Sequence, residues 1–409
     1  MSHPDKQLSV LSLQYHCYPD EVGGAWGLTY EVNKRLVARK HRVHLITCKP
    51  SESYPDYEII DGVHFHRIAF RASKHFISMW RAVRKIVRQI LESEKIDVVH
   101  IHNPLVGFMA ILLPQLWAVP KVCHFHSSWY DEEKINEIGI ESIVIPWKLK
   151  IKLQLIRFME GVGYAVSRTV FFLSEYSKKR FLNYYSFTQP NLCVIPGGVD
   201  IEAFKPPAST EEMSTIRENL NLSSQPLLLT VRRLEQRMGL ENLVCAAGIL
   251  NRQNPDLKFQ MLITGKGSLR QKLERLILEQ EVSHCISLAG LVPRETLHLY
   301  FRCADLFVLP TTAIEGFGLV TAEAFASGLP VMGTRVGATE EILQQVDEQL
   351  LFKGTSPEAL AEGLETYLRS PKIFSAMRPQ CRQIAQTQYS WETVVERIEQ
   401  EFIQAVDTP

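Results

Sequence analysis

Short apolar segments alternate with amphipathic stretches along the first half of the chain. The segments that this pattern predicts as buried strands are residues 8–13, 43–47, 63–68, 98–101, 119–125 and 169–173. Helical periodicity lies between them, for example in residues 28–39 and 77–91. Strands that alternate with helices indicate βαβ units, and therefore a parallel sheet with helices on both faces.

This alternation is interrupted once, near the middle of the chain. Residues 194–200 contain two glycines and a proline, and Pro206 and Pro207 follow, which is typical of a linker. Five further strands are predicted beyond it, at residues 227–231, 260–263, 286–288, 306–309 and 330–333. A final helical pattern covers residues 391–405 and is placed to return to the first domain.

The sequence therefore predicts an α/β protein of two doubly wound, Rossmann-like domains, residues 1–198 and 199–388, followed by a C-terminal helical segment, 389–409. Ligands of open α/β sheets bind beyond the carboxyl ends of the strands. With two such domains, the expected binding site is a cleft that both domains face. The length of 409 residues suits two domains of ordinary size.

Composition narrows the class of protein. Hydrophobic residues make up 45% of the chain and charged residues 22%, which excludes a disordered protein. The 45 Lys and Arg residues are balanced by 45 Asp and Glu residues, so bulk charge predicts no nucleic-acid partner. Residues 1–200 hold 25 basic and 19 acidic residues, a net charge of +6, whereas the remainder holds 20 and 26, a net charge of −6. An anionic acceptor, a membrane surface and chance are all open explanations of this asymmetry.

Cysteine usage and apolar run length bear on location. The eight cysteines form no C-x-x-C pair, and several lie in apolar runs, as expected of core residues in a reducing compartment. The polar start of the chain and the lack of an 18-residue apolar run predict no signal peptide and no membrane span, hence a cytoplasmic protein. Residues 71–95 combine basic and apolar positions on a helical pattern. Peripheral contact with an anionic inner membrane face and a solvated charged face are both open for this helix.

Glu315 and Glu323 stand eight residues apart, on either side of a glycine-containing turn. The turn follows a predicted strand and precedes a predicted helix. Gly316 and Gly318 would let backbone N–H groups approach a ligand closely, and a helix N-terminus favours an anion. Glu315 at the turn could accept hydrogen bonds from sugar hydroxyls, and Glu323, about two turns into the helix, could reach ribose hydroxyls.

The stretch 304–331, which contains this turn, resembles the signature of family 4 glycosyltransferases with the GT-B fold. Other matches occur in the expected order along nearly the whole chain: Gly23-Gly24, residues 197–200, 232–234, 265–267 and 389–392. The resemblance implies a retaining hexosyltransferase that uses a nucleoside diphosphate sugar, a UDP- or GDP-sugar, as substrate and needs no cofactor. The acceptor would be a hydroxyl of a glycan, a lipid or a small molecule.

The resemblance also assigns roles to individual residues. Glu315 and the N–H groups of Phe317 and Gly318 would bind the donor sugar, Glu323 the ribose, and Arg233 the diphosphate. A guanidinium there could hold phosphate oxygens and stabilise charge on the leaving group. The donor site implied in this way comprises Gly23, Gly24, Arg233, Arg237, Gly265, Val292, Glu315, Gly316, Phe317, Gly318, Leu319 and Glu323.

The chain departs from the family pattern at one position of that site. The family usually has a lysine immediately before the glycine that matches Gly239, and this chain has Met238 there. Arg237, one position earlier, is the expected substitute, although arginine and lysine differ in geometry. Val292 falls where the family binds the nucleobase through backbone groups, so the base stays open.

Four histidines lie at the ends of two predicted strands, as the pairs His100 and His102, and His124 and His126. Residues i and i+2 of a strand face the same side. A zinc site is open for this cluster, and packed or hydrogen-bonded core histidines are the favoured interpretation of His100 and His124. The resemblance makes His126, which precedes Ser127-Ser128-Trp129, the active-site histidine near the anomeric centre of the donor.

No D-x-D motif occurs in the chain, so no metal ion is expected on the diphosphate; Arg233, Arg237 and a helix N-terminus would supply the positive charge. Two alternatives are a GT-B sugar-nucleotide epimerase and a catalytically inactive nucleotide-sugar-binding protein. The presence of Glu315, Glu323, Arg233 and His126 argues against the inactive protein. The pattern of glycines is not G-x-G-x-x-G, which argues against a dinucleotide-binding oxidoreductase.

Overall fold

The computed structural model describes residues 6–21, 23–139, 144–186 and 190–408, and it contains two β-sheets, one in each of two structural units. Unit 1 comprises Met1–Pro196 and Glu392–Pro409, and unit 2 comprises Gly197–Trp391. In both units, helices alternate with predominantly parallel strands. The prediction of two doubly wound α/β domains is confirmed.

The strands of unit 1 are β1 (Ser9–Leu13), β2 (Arg42–Cys48), β3 (Tyr57–Ile60), β4 (Val63–Ile68), β5 (Val98–Ile101), β6 (Lys121–Phe125), β7 (Thr169–Phe172) and β8 (Asn191–Val194). Its helices are α1 (Gly24–Ala38), α2 (Phe70–Ser73), α3 (Phe76–Ser93), α4 (Pro104–Ile111), α5 (Trp129–Ile138), α6 (Trp147–Ala165) and α7 (Glu175–Tyr185). The strand order is β3-β4-β2-β1-β5-β6-β7-β8. Every residue of β1, β5, β6 and β7 is buried, as expected of central strands covered on both faces.

Unit 2 is a second doubly wound unit. Its strands are β9 (Leu227–Val231), β10 (Gln260–Thr264), β11 (Ile286–Gly290), β12 (Leu306–Leu309) and β13 (Val331–Gly333). Its helices are α8 (Thr210–Asn219), α9 (Leu240–Gln253), α10 (Arg270–Glu279), α11 (Arg294–Cys303), α12 (Leu319–Ala326), α13 (Thr339–Leu343), α14 (Pro357–Arg369), α15 (Pro371–Ser375) and α16 (Arg378–Ile384). The parallel strands have the order β11-β10-β9-β12-β13.

The last helix, α17 (Trp391–Asp407), starts at the end of unit 2 and belongs to unit 1 from Glu392 onward. Within unit 1, the buried ring of Phe402 packs against His100 and Phe171. Arg397 donates a hydrogen bond from Nη2 to the carbonyl oxygen of Val194, at the end of β8. The C-terminal helix thus packs on the first domain.

The structure differs from the sequence expectation at several element boundaries. Two edge strands, β3 and β8, were not predicted, and β3 runs antiparallel to β4, an exception to the expected parallel sheet. The strand expected from residue 119 begins at Lys121, since Pro120 has no N–H group to donate. The helix expected over residues 71–95 is divided into α2 and α3. In the described part of the chain, no helix combines the length and the apolar composition that crossing a bilayer requires.

Candidate active site

The Glu315 carboxylate lies in the loop between β12 and α12 and is held by two side chains. Oε2 accepts hydrogen bonds from Arg232 Nη2 at 2.6 Å and from Thr311 Oγ1 at 3.0 Å. The side chains of Arg232 and Glu315 are only 7% and 9% exposed, so this ion pair is buried. Oε1 forms no hydrogen bond with the described residues and lies close to Gly318, 3.6 Å from where a Cβ atom there would be. One carboxylate oxygen is therefore occupied and the other is available to a ligand.

The backbone of the same turn is fixed on both sides. The Glu315 carbonyl oxygen accepts a hydrogen bond from the N–H of Ala338 at 2.8 Å. Gly337 (φ +65°) passes so close that a Cβ atom on it would lie 2.1 Å from that oxygen. Ile314 has φ +52°, a left-handed conformation that costs a β-branched residue roughly 1–3 kcal/mol. Arg237 Nη1 donates to the Ile314 carbonyl oxygen at 2.7 Å. Strain of this kind persists where the surrounding structure holds a functional residue in place.

The N-terminus of α12 follows this turn directly. Gly318 precedes the helix with φ +77°, a conformation that favours glycine. The Phe317 ring is buried against Tyr389, so only the backbone of Phe317 could meet a ligand. Gly316 and Leu319 are half-buried beside it. The positive end of the helix dipole therefore lies next to the Glu315 turn, as an anion site requires.

Glu323 is the fifth residue of α12, so it lies about one turn into the helix and not two as predicted. The side chain is half-buried, and burial raises the pKa of its carboxyl to about 7. The positive charge of Arg294 acts in the opposite direction on this pKa. A ligand hydroxyl donated to Glu323 would stabilise the charged form of this carboxylate.

The arginines after β9 have different environments. Arg232, which the sequence analysis did not place in the site, is the residue that contacts Glu315. The Arg233 side chain is exposed and forms no hydrogen bond or ion pair with the residues that the structure describes, whereas its backbone carbonyl oxygen accepts a hydrogen bond from the Glu235 N–H at 3.0 Å. Met238, at the position of the usual lysine, is buried, and Arg237 lies beside it with its guanidinium on Ile314. Arg233 is therefore free to meet a phosphate, whereas Arg237 has a structural contact as well.

The loops after β10 and β11 adjoin the loop after β9. The Gly265 N–H donates to the carbonyl oxygen of Gly290 at 2.7 Å, and the Leu234 N–H donates to Lys266 at 2.9 Å. Val292 is half-buried, two residues beyond β11. The predicted donor residues of unit 2 thus lie in the segments that follow the carboxyl ends of its strands, with Leu319 and Glu323 in the first turns of α12. This is the edge at which parallel sheets bind ligands.

The remaining predicted residues belong to unit 1. Gly23 has extended backbone geometry and caps α1, which begins at Gly24. His126 follows β6 directly, and its turn is held by two capping groups. Ser128 Oγ accepts a hydrogen bond from the Asp131 N–H, and Glu160 Oε1 accepts one from the Trp129 N–H at 3.1 Å.

The buried His100, His102 and His124 and the half-buried His126 form one cluster, and Phe402 of α17 packs against His100. His102 Nδ1 and His126 Nε2 are 3.1 Å apart, and the rings of His124 and His126 stack at 4.6 Å between centroids. Burial lowers the pKa of His126 to about 4 and that of His100 to about 3. At neutral pH these imidazoles are therefore uncharged, so His126 can exchange hydrogen bonds with a substrate but carries no positive charge.

A metal centre in this cluster was an open alternative. One ring nitrogen from each of His100, His102 and His124 lies within 4.8 Å of the others. A metal ion needs in-plane lone pairs that converge on one point, about 2.0–2.1 Å from each nitrogen for zinc. The rings of His102 and His124 are instead stacked, 5.4 Å apart and 18° from parallel. This ring geometry differs from that of a formed three-histidine centre. Both ring nitrogens of His100 and of His124 are buried without a hydrogen-bond partner among the described residues.

Sequence reasoning missed two charged residues that support the site. Arg232 was passed over because the motif match falls on its neighbour, Arg233. Glu160 lies on the buried face of α6, where its carboxylate accepts hydrogen bonds from the Trp129 N–H and from Tyr185 Oη at 2.8 Å. A single carboxylate in the otherwise apolar sequence Phe158-Met159-Glu160-Gly161-Val162 was the available signal, because buried charges are rare unless they have partners.

Comparison with known proteins shows which protein families the two halves of the chain match. Residues 22–203 match the family described as Glycosyltransferase Family 4, and residues 212–388 match the family described as Glycosyl transferases group 1. An uncharacterised glycosyltransferase of Methanocaldococcus jannaschii is 26% identical over 383 residues, which cover 92% of this chain and 93% of that protein. A D-inositol 3-phosphate glycosyltransferase of Pseudarthrobacter chlorophenolicus is 26% identical over 384 residues, 90% of this chain and 88% of the relative.

Solved structures share the fold over almost the full length. Sucrose-phosphate synthase from Thermosynechococcus elongatus superposes with a TM-score of 0.80 at 22% identity and covers 97% of this chain and 99% of its own. Anabaena HepE in complex with UDP and glucose has a TM-score of 0.75 at 16% identity and covers 97% and 100%. These neighbours support the GT-B fold. The two family matches, one on each half of the chain, establish that it is a glycosyltransferase and belongs to family 4.

Proposed function

We propose that the protein is a retaining hexosyltransferase that moves a sugar from a nucleoside diphosphate donor, a UDP- or GDP-sugar, to a hydroxyl of a glycan, lipid or small-molecule acceptor. The observation that carries the proposal is the Glu315 carboxylate. Its Oε2 is held by Arg232 and Thr311, and its Oε1 has no partner among the described residues beside the N-terminus of α12. A fixed acceptor next to a positive helix end fits a sugar attached to a diphosphate.

The proposed roles follow from position and charge. Glu315 Oε1 accepts hydrogen bonds from donor sugar hydroxyls, and Glu323 accepts them from the ribose. Arg233 and the helix N-terminus bind the diphosphate, with Arg237 beside them. As the glycosidic bond breaks, negative charge grows on the leaving diphosphate, so these groups stabilise the transition state more than the ground state. Neutral His126 would exchange a hydrogen bond with the donor sugar near its anomeric carbon.

The proposed reaction retains the anomeric configuration. The acceptor oxygen bonds to the anomeric carbon on the face from which the diphosphate departs, and the bond between that carbon and the phosphate oxygen breaks. The hydroxyl proton goes to the departing phosphate oxygen, so that the products are the glycoside and a nucleoside diphosphate. No cofactor and no metal ion is needed in this scheme, because the charge is balanced by arginine and the helix dipole.

The relatives bear on the substrates. The Anabaena neighbour was solved with UDP and glucose, and the Pseudarthrobacter relative is a D-inositol 3-phosphate glycosyltransferase. We propose a hexose donor on this basis. We also propose that the acceptor is a hydroxylated molecule, with an anionic one favoured by the +6 net charge of residues 1–200.

A binding and turnover screen tests the function. The melting temperature of the full chain is measured with UDP, GDP, ADP and their glucose and mannose conjugates, since a ligand that binds only the folded protein raises it. The nucleotide sugar that raises the melting temperature is then incubated with the protein in the absence of acceptor. We expect slow hydrolysis of this donor and release of the sugar as its α-anomer. No shift with any nucleotide sugar would contradict the proposed donor site.

The same reactions separate the alternatives. An epimerase would convert the nucleotide sugar into its epimer and would form no glycoside. Nuclear magnetic resonance of the reaction mixture would detect the epimer. An inactive nucleotide-sugar-binding protein would show the thermal shift and no turnover. Release of the β-anomer from an α-linked donor would overturn retention alone and leave the transferase assignment standing.

A further inference from the structure

Helix α6 has two apolar faces, and only one of them is covered. Leu149, Leu153 and Ile156 are buried against unit 1. On the opposite face, Trp147, Ile151, Leu155 and Phe158 are 68%, 61%, 57% and 60% exposed. Their spacing of four, four and three residues puts them in one line along the helix. A contiguous exposed row of large apolar side chains, here called the apolar stripe, is typical of an interaction site.

The apolar stripe continues onto two neighbouring helices. The ring of Phe158 packs edge-on against Phe108 of α4, with 6.1 Å between centroids. Phe108 in turn lies 6.4 Å from Phe76, the first residue of α3. Phe76 and Ile77 are both exposed. The apolar surface therefore extends over three helices of unit 1.

Unpaired positive charges border this surface. Lys148 and Lys150 lie on α6, on either side of the stripe, and both are exposed. On α3, Arg81, Arg84 and Arg88 follow Ile77 at four, seven and eleven residues, which places them on the same face of the helix. None of these five cations forms an ion pair with the residues that the structure describes. Lys152 is the exception on α6, since it pairs with Glu133 and Glu137.

We propose that this surface docks unit 1 on an anionic lipid membrane, with α6 lying in the plane of the interface. The stripe would enter the boundary between headgroups and acyl chains, and the flanking lysines and arginines would contact lipid phosphates. An exposed apolar line between two rows of cations is the pattern of interfacial helices. Lysine side chains can keep their ammonium groups at the phosphate level while their methylenes lie along the apolar layer.

Charge complementarity is the argument for lipid as the occupant. Five unpaired cations of one sign on two helices suit a continuous negative surface, where each contributes to binding. The test of membrane docking does not depend on the proposed transfer reaction, because vesicle binding is measured without donor or acceptor. Docking and catalysis can therefore fail separately.

Flotation of the full chain with vesicles tests the proposal. Vesicles of phosphatidylcholine alone are compared with vesicles that also contain phosphatidylglycerol, and binding is expected chiefly to the anionic set. The double variant Ile151→Ser/Leu155→Ser should lower partitioning at least about tenfold, since two apolar side chains no longer enter the interface. Lys148→Glu/Lys150→Glu should lower binding to anionic vesicles by about tenfold or more and leave little preference between the two compositions.

Matched variants in unit 2 provide the controls. Leu278→Ser removes an equally exposed leucine from α10, and Lys258→Glu/Lys372→Glu reverses two exposed lysines. Both should bind vesicles like wild type. Circular dichroism and thermal melts of all variants report whether each is folded, which is expected because every replaced side chain is exposed.

Two outcomes would overturn the proposal. One is failure of the wild-type chain to float with anionic vesicles at low ionic strength. The other is a dimer in analytical ultracentrifugation that the Ile151→Ser/Leu155→Ser variant converts to a monomer while vesicle binding is unchanged. That result would assign the apolar stripe to a second copy of the chain.

Discussion

Arg232 and Arg233 are neighbours in sequence with opposite environments. Both follow the end of β9, and one guanidinium lies in the buried pair with Glu315 whereas the other is exposed. Breaking a buried ion pair by removing one partner leaves an uncompensated charge. Removing an exposed guanidinium leaves no such defect. The two positions should therefore separate stability from catalysis.

Replacement of each arginine by glutamine tests this separation. Arg232→Gln should lower the free energy of unfolding by about 3–5 kcal/mol, since the Glu315 carboxylate loses its partner. Arg233→Gln should leave stability within about 0.5 kcal/mol of wild type and lower kcat by roughly 10²–10³, by analogy with loss of one transition-state hydrogen-bond donor. Urea denaturation and steady-state kinetics measure the two effects. Equal stability of the two variants would contradict the buried pair, and wild-type kcat for Arg233→Gln would remove this residue from the diphosphate site.

Arg237 contacts the loop that contains Glu315. Its guanidinium binds the Ile314 carbonyl oxygen, and its own carbonyl oxygen accepts a hydrogen bond from the Thr312 N–H at 3.0 Å. Met238 is buried, and the cation of this chain lies one position earlier, at Arg237. Whether Arg237 replaces the usual lysine at the phosphate stays a prediction.

At the scale of single elements, the two faces of α6 differ in composition and contacts. Its exposed face has the apolar stripe, and its buried face has Glu160, which anchors the turn after His126 through the Trp129 N–H. Burial raises the pKa of the Glu160 carboxyl to about 7, although hydrogen bonds from Tyr185 and Trp129 lower it. The charged form is thus disfavoured in the folded protein.

This raised pKa predicts how stability depends on pH. A carboxyl with a folded pKa above its unfolded value contributes stability fully below about pH 4.5 and loses it as the pH rises through about 7. In Glu160→Gln the side chain stays neutral. Between pH 5 and pH 8, the free energy of unfolding of wild type should therefore fall by up to about 3 kcal/mol more than that of the variant. This holds whether or not the substitution itself changes the stability at pH 5.

Urea denaturation at several pH values measures that difference. Glu218→Gln, an exposed carboxylate on α8, is the control and should run parallel to wild type. The free energy of unfolding of Glu160→Gln should still fall somewhat with rising pH, because the pKa of the Glu323 carboxyl is also raised. Parallel curves for Glu160→Gln and wild type would contradict the raised pKa of Glu160.

At the scale of the whole molecule, neither unit supplies a carboxylate pair of the D-x-D type. The proposed site instead places arginines and a helix N-terminus at the carboxyl ends of the unit 2 strands. Transfer activity should therefore persist in excess EDTA, as steady-state assays with and without the chelator would measure. Complete loss of activity that Mg²⁺ or Mn²⁺ restores would show that a metal ion neutralises the diphosphate. Loss restored by Zn²⁺ alone would direct attention to the buried histidine cluster.

The two-domain architecture could be predicted from sequence, because strands covered on both faces are continuous apolar runs that a linker separates into two sets. The edge strands β3 and β8 could not, since each has only four residues, all exposed or half-buried, and their short apolar runs resemble those of a loop or linker. Helix α6 shows a similar limit. Its apolar residues lie on both faces, and periodicity does not reveal which face is covered.

The sequence by itself determined the fold class, the family and the position of the Glu315 turn, since these depend on local patterns and on motifs in a fixed order. Only the tertiary structure decided that Arg232 contacts Glu315, that Arg233 is exposed, and that Glu160 holds the turn after His126. The physical reason is that contacts between residues far apart in sequence depend on which loops and helices the folded sheet brings together. For Arg232 and Glu315, the adjacent parallel strands β9 and β12 bring together loops that are 83 residues apart.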